Sequence, residues 1–499
     1  MKLTRPNLKH MDEALAASRG RKYFAYWMGP GTCKTAVTLQ DGWRAYEAGE
    51  IDAVLVLAPN NVKDGWVKWP HMVEDPEDQD EVTLTLGAYL PRIIKGLWIG
   101  QATGKNKECW KDFEDQISRR HHKLVILSVN YEAMLGEQFF EFLKAFCAQF
   151  RTMIVADEST RIGKPGSKRT KRAIKLARLC AYRRTLSGTP IVKSPMKMYS
   201  QSKFLDDNAM PFNSFFAFRN FFAIMGGFQG KQILSYKRLD YLSDLIAKWS
   251  YRCRKEDCLD LPPQIFLPRR VYMTPEQTKA YNTMREEFYA QVGNDEITAP
   301  IVLTQIMRLQ QIAGGYITNS DGTVLEIIPP ARNPKLLEAL DRVENAPGQV
   351  VCWARFRPEI EGMKQLLIAH NKAAIREGEA PIRFCEFHGG IPEKQRTVIK
   401  AAFKRGEYDV LLGTESTGGI GINQLLVADT VVHISSDFDT EKRIQADDRT
   451  HRMGSQMHEK IVYYDILVPN TVDVKIRRVL RTDTQLSARI LREQWREWI

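Results

Sequence analysis

Two stretches with phosphate chemistry, roughly 400 residues apart, constrain this chain more than any other feature. Near the start, Gly31-Thr32-Cys33-Lys34-Thr35 follows an apolar run and precedes a stretch of helical composition, Ala36–Ala48. A phosphate loop needs inward-pointing backbone N–H groups, a lysine for the β- and γ-phosphates and a hydroxyl for Mg²⁺. The backbone of Gly29, Gly31, Thr32 and Cys33 would form the cradle, with Lys34 and Thr35 as lysine and hydroxyl. Near the end, Gln445-Ala446-Asp447-Asp448-Arg449-Thr450-His451-Arg452 carries two arginines at one-turn spacing. Between them, Asp157-Glu158-Ser159-Thr160 follows the apolar strand Arg151–Ala156. Asp157 would hold Mg²⁺, directly or through water, and Glu158 would polarise an attacking water. A lysine loop, an acidic pair and distant arginines are the parts of a nucleotide-hydrolysing site split over two lobes. Hydrolysis that requires two lobes to close implies a motor.

The pattern around these motifs predicts an α/β fold with two doubly wound parallel-sheet lobes. Short, continuous apolar runs mark buried parallel strands: Tyr23–Tyr26, Ala53–Ala58, Leu124–Ser128, Met153–Ala156 and Arg184–Leu186, then Gln349–Trp353, Arg383–Phe387, Val410–Gly413, Thr430–Ile434 and Lys460–Asp465. Strand–helix alternation of this kind gives a doubly wound domain. The boundaries read as a first lobe over 1–190, a helical insert and linker over 191–332, a second lobe over 333–470 and a helical basic tail over 471–499. The aromatic run Phe212–Phe228 is expected to be mainly helical core, and the acidic run Glu74–Glu81 a solvated loop. Ser187-Gly188-Thr189-Pro190, again after a strand, would link the acidic pair to the other lobe.

A net charge of +12 and a pI near 9.2 favour a polyanionic partner, nucleic acid first. The run Arg161–Arg184 holds ten Lys and Arg and no acid. Lys164, Lys168 and Arg169 are its candidate phosphate contacts, and a solvated helical face is the alternative. No base-reading motif stands out, which implies sequence-independent binding. No apolar run spans a bilayer, and the start lacks the apolar core of a signal peptide, so a cytoplasmic protein without a membrane partner is expected. Of eight cysteines only Cys253 and Cys258 lie close together, with no second pair to complete a zinc site, and free thiols are expected.

The order of these motifs resembles helicase superfamily 2, and within it the Snf2-like branch, over nearly the whole chain. Ala58-Pro59-Asn60 with Trp66 is similar to the family's first DNA-facing loop, and Ser128-Val129-Asn130-Tyr131-Glu132 to the segment before its acidic box. Arg252-Cys253-Arg254-Lys255-Glu256-Asp257 with Leu261-Pro262-Pro263 resembles the interlobe linker. Phe387-His388-Gly389-Gly390, Thr414 through Gly419-Ile420-Gly421-Ile422-Asn423, and Gln445 to Gln456 resemble the second-lobe motifs. The resemblance implies two RecA-like lobes, ATP and Mg²⁺ as cofactors, and movement along duplex or forked DNA. It places Lys34, Asp157, Glu158, Gln445, Arg449 and Arg452 in catalysis, the two arginines as arginine fingers, and Gly421 at the nucleotide. It places DNA contacts at Pro59, Asn60, His388, Gly389, Thr414 and Asn423. A compact motor of this kind is similar to phage or bacterial helicases of replication, recombination or repair. A monomer is expected, with a protein of those processes as a candidate partner.

Three positions depart from the family pattern. Cys33 replaces a loop glycine, Met11 stands where the family has an adenine-reading glutamine, and Phe438 replaces a tryptophan. Two further readings therefore stand beside the motor: a DNA-binding module with ATPase impaired by Cys33 and Met11, and an RNA helicase.

Overall fold

The structure is a computed structural model that describes residues 8–59, 66, 93–97, 124–191, 194–227, 230, 232–294, 299–319, 321–415 and 424–491. Asn60, Gly421, Asn423 and the acidic run 74–81 lie outside the described residues. The chain divides into two units, one of residues 1–259 with 483–499 and the other of residues 260–482.

The first unit is built on a seven-stranded sheet. In chain order its strands are β1 (Tyr23–Met28), β2 (Ala53–Ala58), β3 (Ile93–Leu97), β4 (Leu124–Asn130), β5 (Thr152–Ala156), β6 (Tyr182–Leu186) and, after the hairpin β7 (Ala223–Gly226) and β8 (Gln232–Tyr236), β9 (Ser250–Cys253). The spatial order is β3-β4-β2-β5-β6-β1-β9, with every pair parallel. Strand β2 shows why these apolar runs become central strands. Ala53, Leu55 and Leu57 enter the core on one face, and Val54, Val56 and Ala58 the core on the other. Each large aliphatic side chain so buried stabilises the fold by about 1.5–3 kcal/mol.

The second unit repeats this plan with β10 (Gln264–Arg270), β13 (Gln349–Ala354), β14 (Phe384–Phe387), β15 (Val410–Thr414), β16 (Ala428–His433) and β17 (Ile461–Leu467), after a small hairpin of β11 (Tyr316–Thr318) and β12 (Val324–Glu326). Its sheet order is β10-β17-β16-β13-β15-β14, again parallel throughout. Along β13, Val350, Cys352 and Ala354 face one core while Val351 and Trp353 face the other.

The region 191–332, read as a helical insert with linker, is divided between the two units. Strand β9 pairs with β1 in the first sheet, and β10 pairs with β17 in the second. Neither strand reads as a buried apolar run, because both are sheet edges: β9 (SYRC) is short and polar, and β10 (QIFLPRR) is largely exposed and ends in Pro-Arg-Arg. Of the aromatic cluster, Phe218 and Phe222 are core, whereas Phe216 is 64% exposed. The helix Val472–Leu491 begins in the second unit, where Val472 and Ile476 are buried, and its residues from Asp483 onward group with the first.

Candidate active site

Adjacency in the first sheet brings three of the candidate segments together. β5, β6 and β1 are neighbours and run parallel, so the segments leaving their C-terminal ends share one edge, where ligands bind in such folds. Those segments are Asp157-Glu158, Ser187-Gly188-Thr189-Pro190 and the loop Gly29–Lys34. They touch. A Cβ built on Gly188 would lie 3.0 Å from Pro30 Cδ, so the glycine lets the second segment close on the loop.

Within the loop, Lys34 Nζ donates to Met28 O at 2.8 Å and Gly29 O at 3.1 Å, which holds the amine over its own loop. Thr32 Oγ1 donates to Gly29 O at 2.7 Å, and Thr35 lies in the first turn of the helix Lys34–Glu47. Cys33 caps that helix with φ 63° and ψ 32°, the left-handed region that glycine enters freely and other residues enter at a cost. The departure at residue 33 is thus a backbone matter. Cys33→Gly is expected to stabilise the first unit by about 1 kcal/mol, measured by urea unfolding; no change or a loss would show that the thiol's packing outweighs the strain.

Asp157 is buried, and three contacts fix it. Trp66 Nε1 donates to its Oδ2 at 2.9 Å, its own Oδ1 accepts Glu158 N–H at 2.9 Å, and Tyr131 Oη donates to its carbonyl at 2.7 Å. Burial raises the Asp157 pKa, while Trp66 and the Lys34 charge work against that rise. Glu158 takes the left-handed conformation, with φ 48°, as the chain turns out of β5. Ser159 Oγ donates to Gln201 Oε1 at 2.6 Å, and Gln201 Nε2 donates to Pro190 O at 3.0 Å. That buried glutamine is the wire between the acidic segment and the Ser187–Pro190 segment, and it connects them within the first unit.

Two sequence expectations change here, at Trp66 and at the cysteine pair, and the structure places Met11 and His10 as well. Trp66, assigned to a DNA-facing loop, is 1% exposed and orients Asp157. Met11, assigned to the adenine-reading position, packs in the core, because the amphipathic helix Lys9–Ser18 turns it inward. His10 of the same helix reaches the loop instead, its Nε2 lying 3.2 Å from Thr32 O. Cys253 and Cys258, expected as free thiols, are disulfide-linked, since the turn after β9 brings the two together.

The basic run is not one-signed in three dimensions. Arg169, Arg172, Arg178, Arg183 and Arg184 meet Glu132, Glu137, Asp207, Asp206 and Asp41, acids contributed by other elements. Arg184 and Asp41 are buried at 2.6 Å, with Tyr26 Oη donating to the same carboxylate. The lysines do remain at the surface. Lys164 is exposed, and Lys168, Lys171 and Lys175 are exposed at i, i+3 and i+7 of the helix Lys168–Ala177, which Ser167 caps.

In the second unit, Gln445 lies on the helix Thr440–Asp447, with Asp439 as its N-cap. Arg449 and Arg452 follow the end of that helix rather than sharing a helical face. His451 Nε2 lies 2.8 Å from Pro262 O, which ties this segment to the Leu261-Pro262-Pro263 linker. Thr414 ends β15 and is buried; His388 and Gly389 follow β14, and His388 Nδ1 accepts Gly390 N–H at 3.1 Å. In the first unit, Pro59 follows β2.

Beneath the arginine segment lies a buried charge network that no motif announced. His433 sits between Glu415 at 3.0 Å and Asp447 at 2.8 Å. Arg443 binds Asp447 at 2.8 Å and Asp465 at 2.8 Å. Glu415 also accepts from Ser436 Oγ at 2.9 Å and Asp437 N at 3.2 Å. Burial and Arg443 lower the His433 pKa, but Asp447 and Glu415 outweigh them and the net shift is upward. Burial raises the Asp447 pKa, but Arg443 and His433 outweigh it and hold the carboxyl below its usual range. The network joins the ends of β15, β16 and β17 to the helix that carries Gln445.

The SNF2-related domain family matches residues 44–314, and the helicase conserved C-terminal domain family matches residues 332–454. The chain belongs to the SNF2-related family, and its two parallel-sheet units are the RecA-like lobes of that family. It is similar to human TATA-binding protein-associated factor 172, with 24% identity over 452 residues, covering 77% of this chain and 23% of that protein. An uncharacterized ATP-dependent helicase of Mycoplasma genitalium shares 24% identity over 347 residues, covering 68% of this chain and 31% of the relative. The mot1 TATA-binding protein-associated factor of Aspergillus fumigatus is 31% identical over 134 residues, covering 26% of this chain and 7% of its own length. The chain thus spans less than a third of each of these relatives. Among solved structures, the Sulfolobus solfataricus SWI2/SNF2 ATPase core in complex with dsDNA is 18% identical, covers 98% of this chain and 95% of its own, and superposes with a TM-score of 0.38. No helix among the described residues is long and apolar enough to cross a membrane.

Proposed function

We propose that this protein is an ATP-dependent DNA translocase or helicase of Snf2-like type. The observation that carries the reading is the convergence of the Gly29–Lys34 loop, Asp157-Glu158 and Ser187–Pro190 at one edge of three adjacent parallel strands, in a chain of this family. Lys34 would exchange its two loop carbonyls for the β- and γ-phosphates. The buried Asp157 carboxylate and the Thr35 hydroxyl are hard oxygen donors of the kind Mg²⁺ takes, and they would hold it. The ion would neutralise charge on the phosphate oxygens. Glu158 would orient the attacking water, and Arg449 and Arg452 of the second unit would stabilise charge on the transferring phosphoryl.

The partner is duplex or forked DNA, bound through its backbone and without sequence preference, in replication, recombination or repair. The family model supports the Snf2 assignment, and the human relative, named as a TATA-binding protein-associated factor, supports no particular pathway for this chain. Lys168, Lys171 and Lys175, with Lys164 beside them, form the tracking surface. Changing those three helix lysines to alanine is expected to lower the slope of log K against log salt by about 0.9 for each phosphate that the protein no longer neutralises. Arg178→Ala, which removes an ion-paired arginine, should leave the slope as it was.

The decisive assay is steady-state ATP hydrolysis alone and with single-stranded, duplex and forked DNA and with RNA. Stimulation by duplex or forked DNA supports the motor. Stimulation by RNA alone supports an RNA helicase. Salt-sensitive DNA binding without hydrolysis on any nucleic acid supports a binding module with a disabled loop.

A further inference from the structure

The cysteine pair next to the phosphate loop has a third potential ligand. One ring nitrogen of His10 and the Sγ atoms of Cys253 and Cys258 all lie within 4.8 Å of one another. His10 and Cys253 are buried, and Cys258 is half-buried, which leaves a way in from solvent. The two cysteines are separated by four residues, a spacing that zinc-binding pairs use. When His10 Nε2–H donates to the Thr32 carbonyl, the ring is fixed in the tautomer whose Nδ1 carries the lone pair. A backbone carbonyl on the far nitrogen is the usual outer partner of a metal-binding histidine.

We propose that His10, Cys253 and Cys258 form a zinc site of the imidazole–dithiolate type, occupied when the pair is reduced. Opening the disulfide takes two electrons: two equivalents of a thiol supply them with two protons and leave as their own disulfide, or a phosphine supplies them and leaves as its oxide while one water provides the oxygen and the two protons; either route gives two thiols. Zn²⁺ then displaces the two thiol protons and is held by two thiolates and one imidazole, with water in the fourth position. The site would act as a staple behind the phosphate loop. Cys253 O accepts Gly29 N–H at 2.8 Å, a Cβ on Gly29 would lie 2.9 Å from Lys255 N, and His10 holds Thr32. The ion would therefore fasten the first helix and the turn after β9 to both ends of the Gly29–Thr32 segment. The inference does not depend on the motor reading.

The test uses the full chain, stripped of metal, reduced with a phosphine and given Zn²⁺ or Co²⁺ before gel filtration. Retained metal is measured by mass spectrometry, and Co²⁺ ligation by its thiolate charge-transfer absorption. About one ion per chain is expected for the reduced protein and none for the oxidised one. Cys258→Ser and His10→Ala should each weaken binding by more than the roughly 10–100-fold that changes in outer-shell partners cost. Cys147→Ser provides the control. Cys147 and Cys180 are a second close pair, their sulfurs 3.5 Å apart in the core, and this change should leave the stoichiometry unaltered. Circular dichroism identifies any variant that fails to fold; the Co²⁺ spectrum of the wild type alone then decides. The proposal is overturned if the reduced wild type retains no metal, if its Co²⁺ spectrum lacks thiolate bands, or if a folded Cys258→Ser chain binds as tightly as the wild type.

Discussion

Replacing Lys34 by alanine is expected to lower DNA-stimulated ATP hydrolysis by about 10²–10³-fold, the usual consequence of removing one donor aimed at developing negative charge. The amine already stands over the loop, held by the Met28 and Gly29 carbonyls at 2.8 and 3.1 Å. Those half-buried bonds also make it a modest structural element, worth about 1.5–3 kcal/mol for a hydrogen-bonded charge. Hydrolysis, unfolding and DNA binding must therefore be read together. The expected pattern is a lost rate, a small drop in first-unit stability and an unchanged salt dependence of DNA binding, because the tracking lysines lie on another segment. A Lys34→Ala protein that hydrolyses ATP at the wild-type rate would refute the proposed site.

The second large effect concerns stability. Arg443→Met is expected to destabilise the second unit by about 3–5 kcal/mol, because it removes the cation that two buried carboxylates share and leaves Asp447 to His433 and Asp465 to Arg477 at 3.3 Å. Asp447 and Asp465 both rely on that guanidinium at 2.8 Å. The pH profile follows from the shifts at the same network. Asp447 has a depressed folded pKa, so its contribution is complete above the ordinary value of 3.8 and is lost as the pH falls through the folded value. His433 has a raised folded pKa, so its contribution is complete below 6.5 and is lost as the pH rises through the folded value. Denaturant titrations across pH should show second-unit stability declining on both sides of that window. His433→Ala should remove the decline on the alkaline side. A profile with an alkaline limb identical in the variant would show that His433 does not stay protonated in the fold.

The two sheets were legible in the sequence because their central strands are buried on both faces. A run such as Ala53–Ala58 has few other places to go, and the observed strand has the same limits. The edge strands β9 and β10 were not legible, since an edge needs one buried face at most and its composition is that of a loop. The same contrast holds in the site. The loop lysine and the acidic pair follow strand ends that hydropathy alone locates. Their partners do not: Trp66, Tyr131 and Gln201 reach Asp157 and Ser159 from separate parts of the chain, and neither the motifs that hold Trp66 and Tyr131 nor the surroundings of Gln201 point to those contacts. The arginine-rich run misled for the same reason, because charge counted along a segment ignores the acids that folding brings from Glu132, Glu137, Asp206, Asp207 and Asp41.

By itself the sequence determined the two-lobed α/β class, the order of the strands that carry motifs and the residue types offered to phosphate, since these rest on local hydropathy and short-range spacing. Tertiary structure alone decided that Trp66 serves Asp157, that His433, Arg443 and three acids share one buried network, and that His10 meets the Cys253–Cys258 pair behind the phosphate loop. Each of those depends on side chains distant in sequence sharing a low-dielectric interior, where a charge or polar atom must find a partner, and only the packed fold specifies which one.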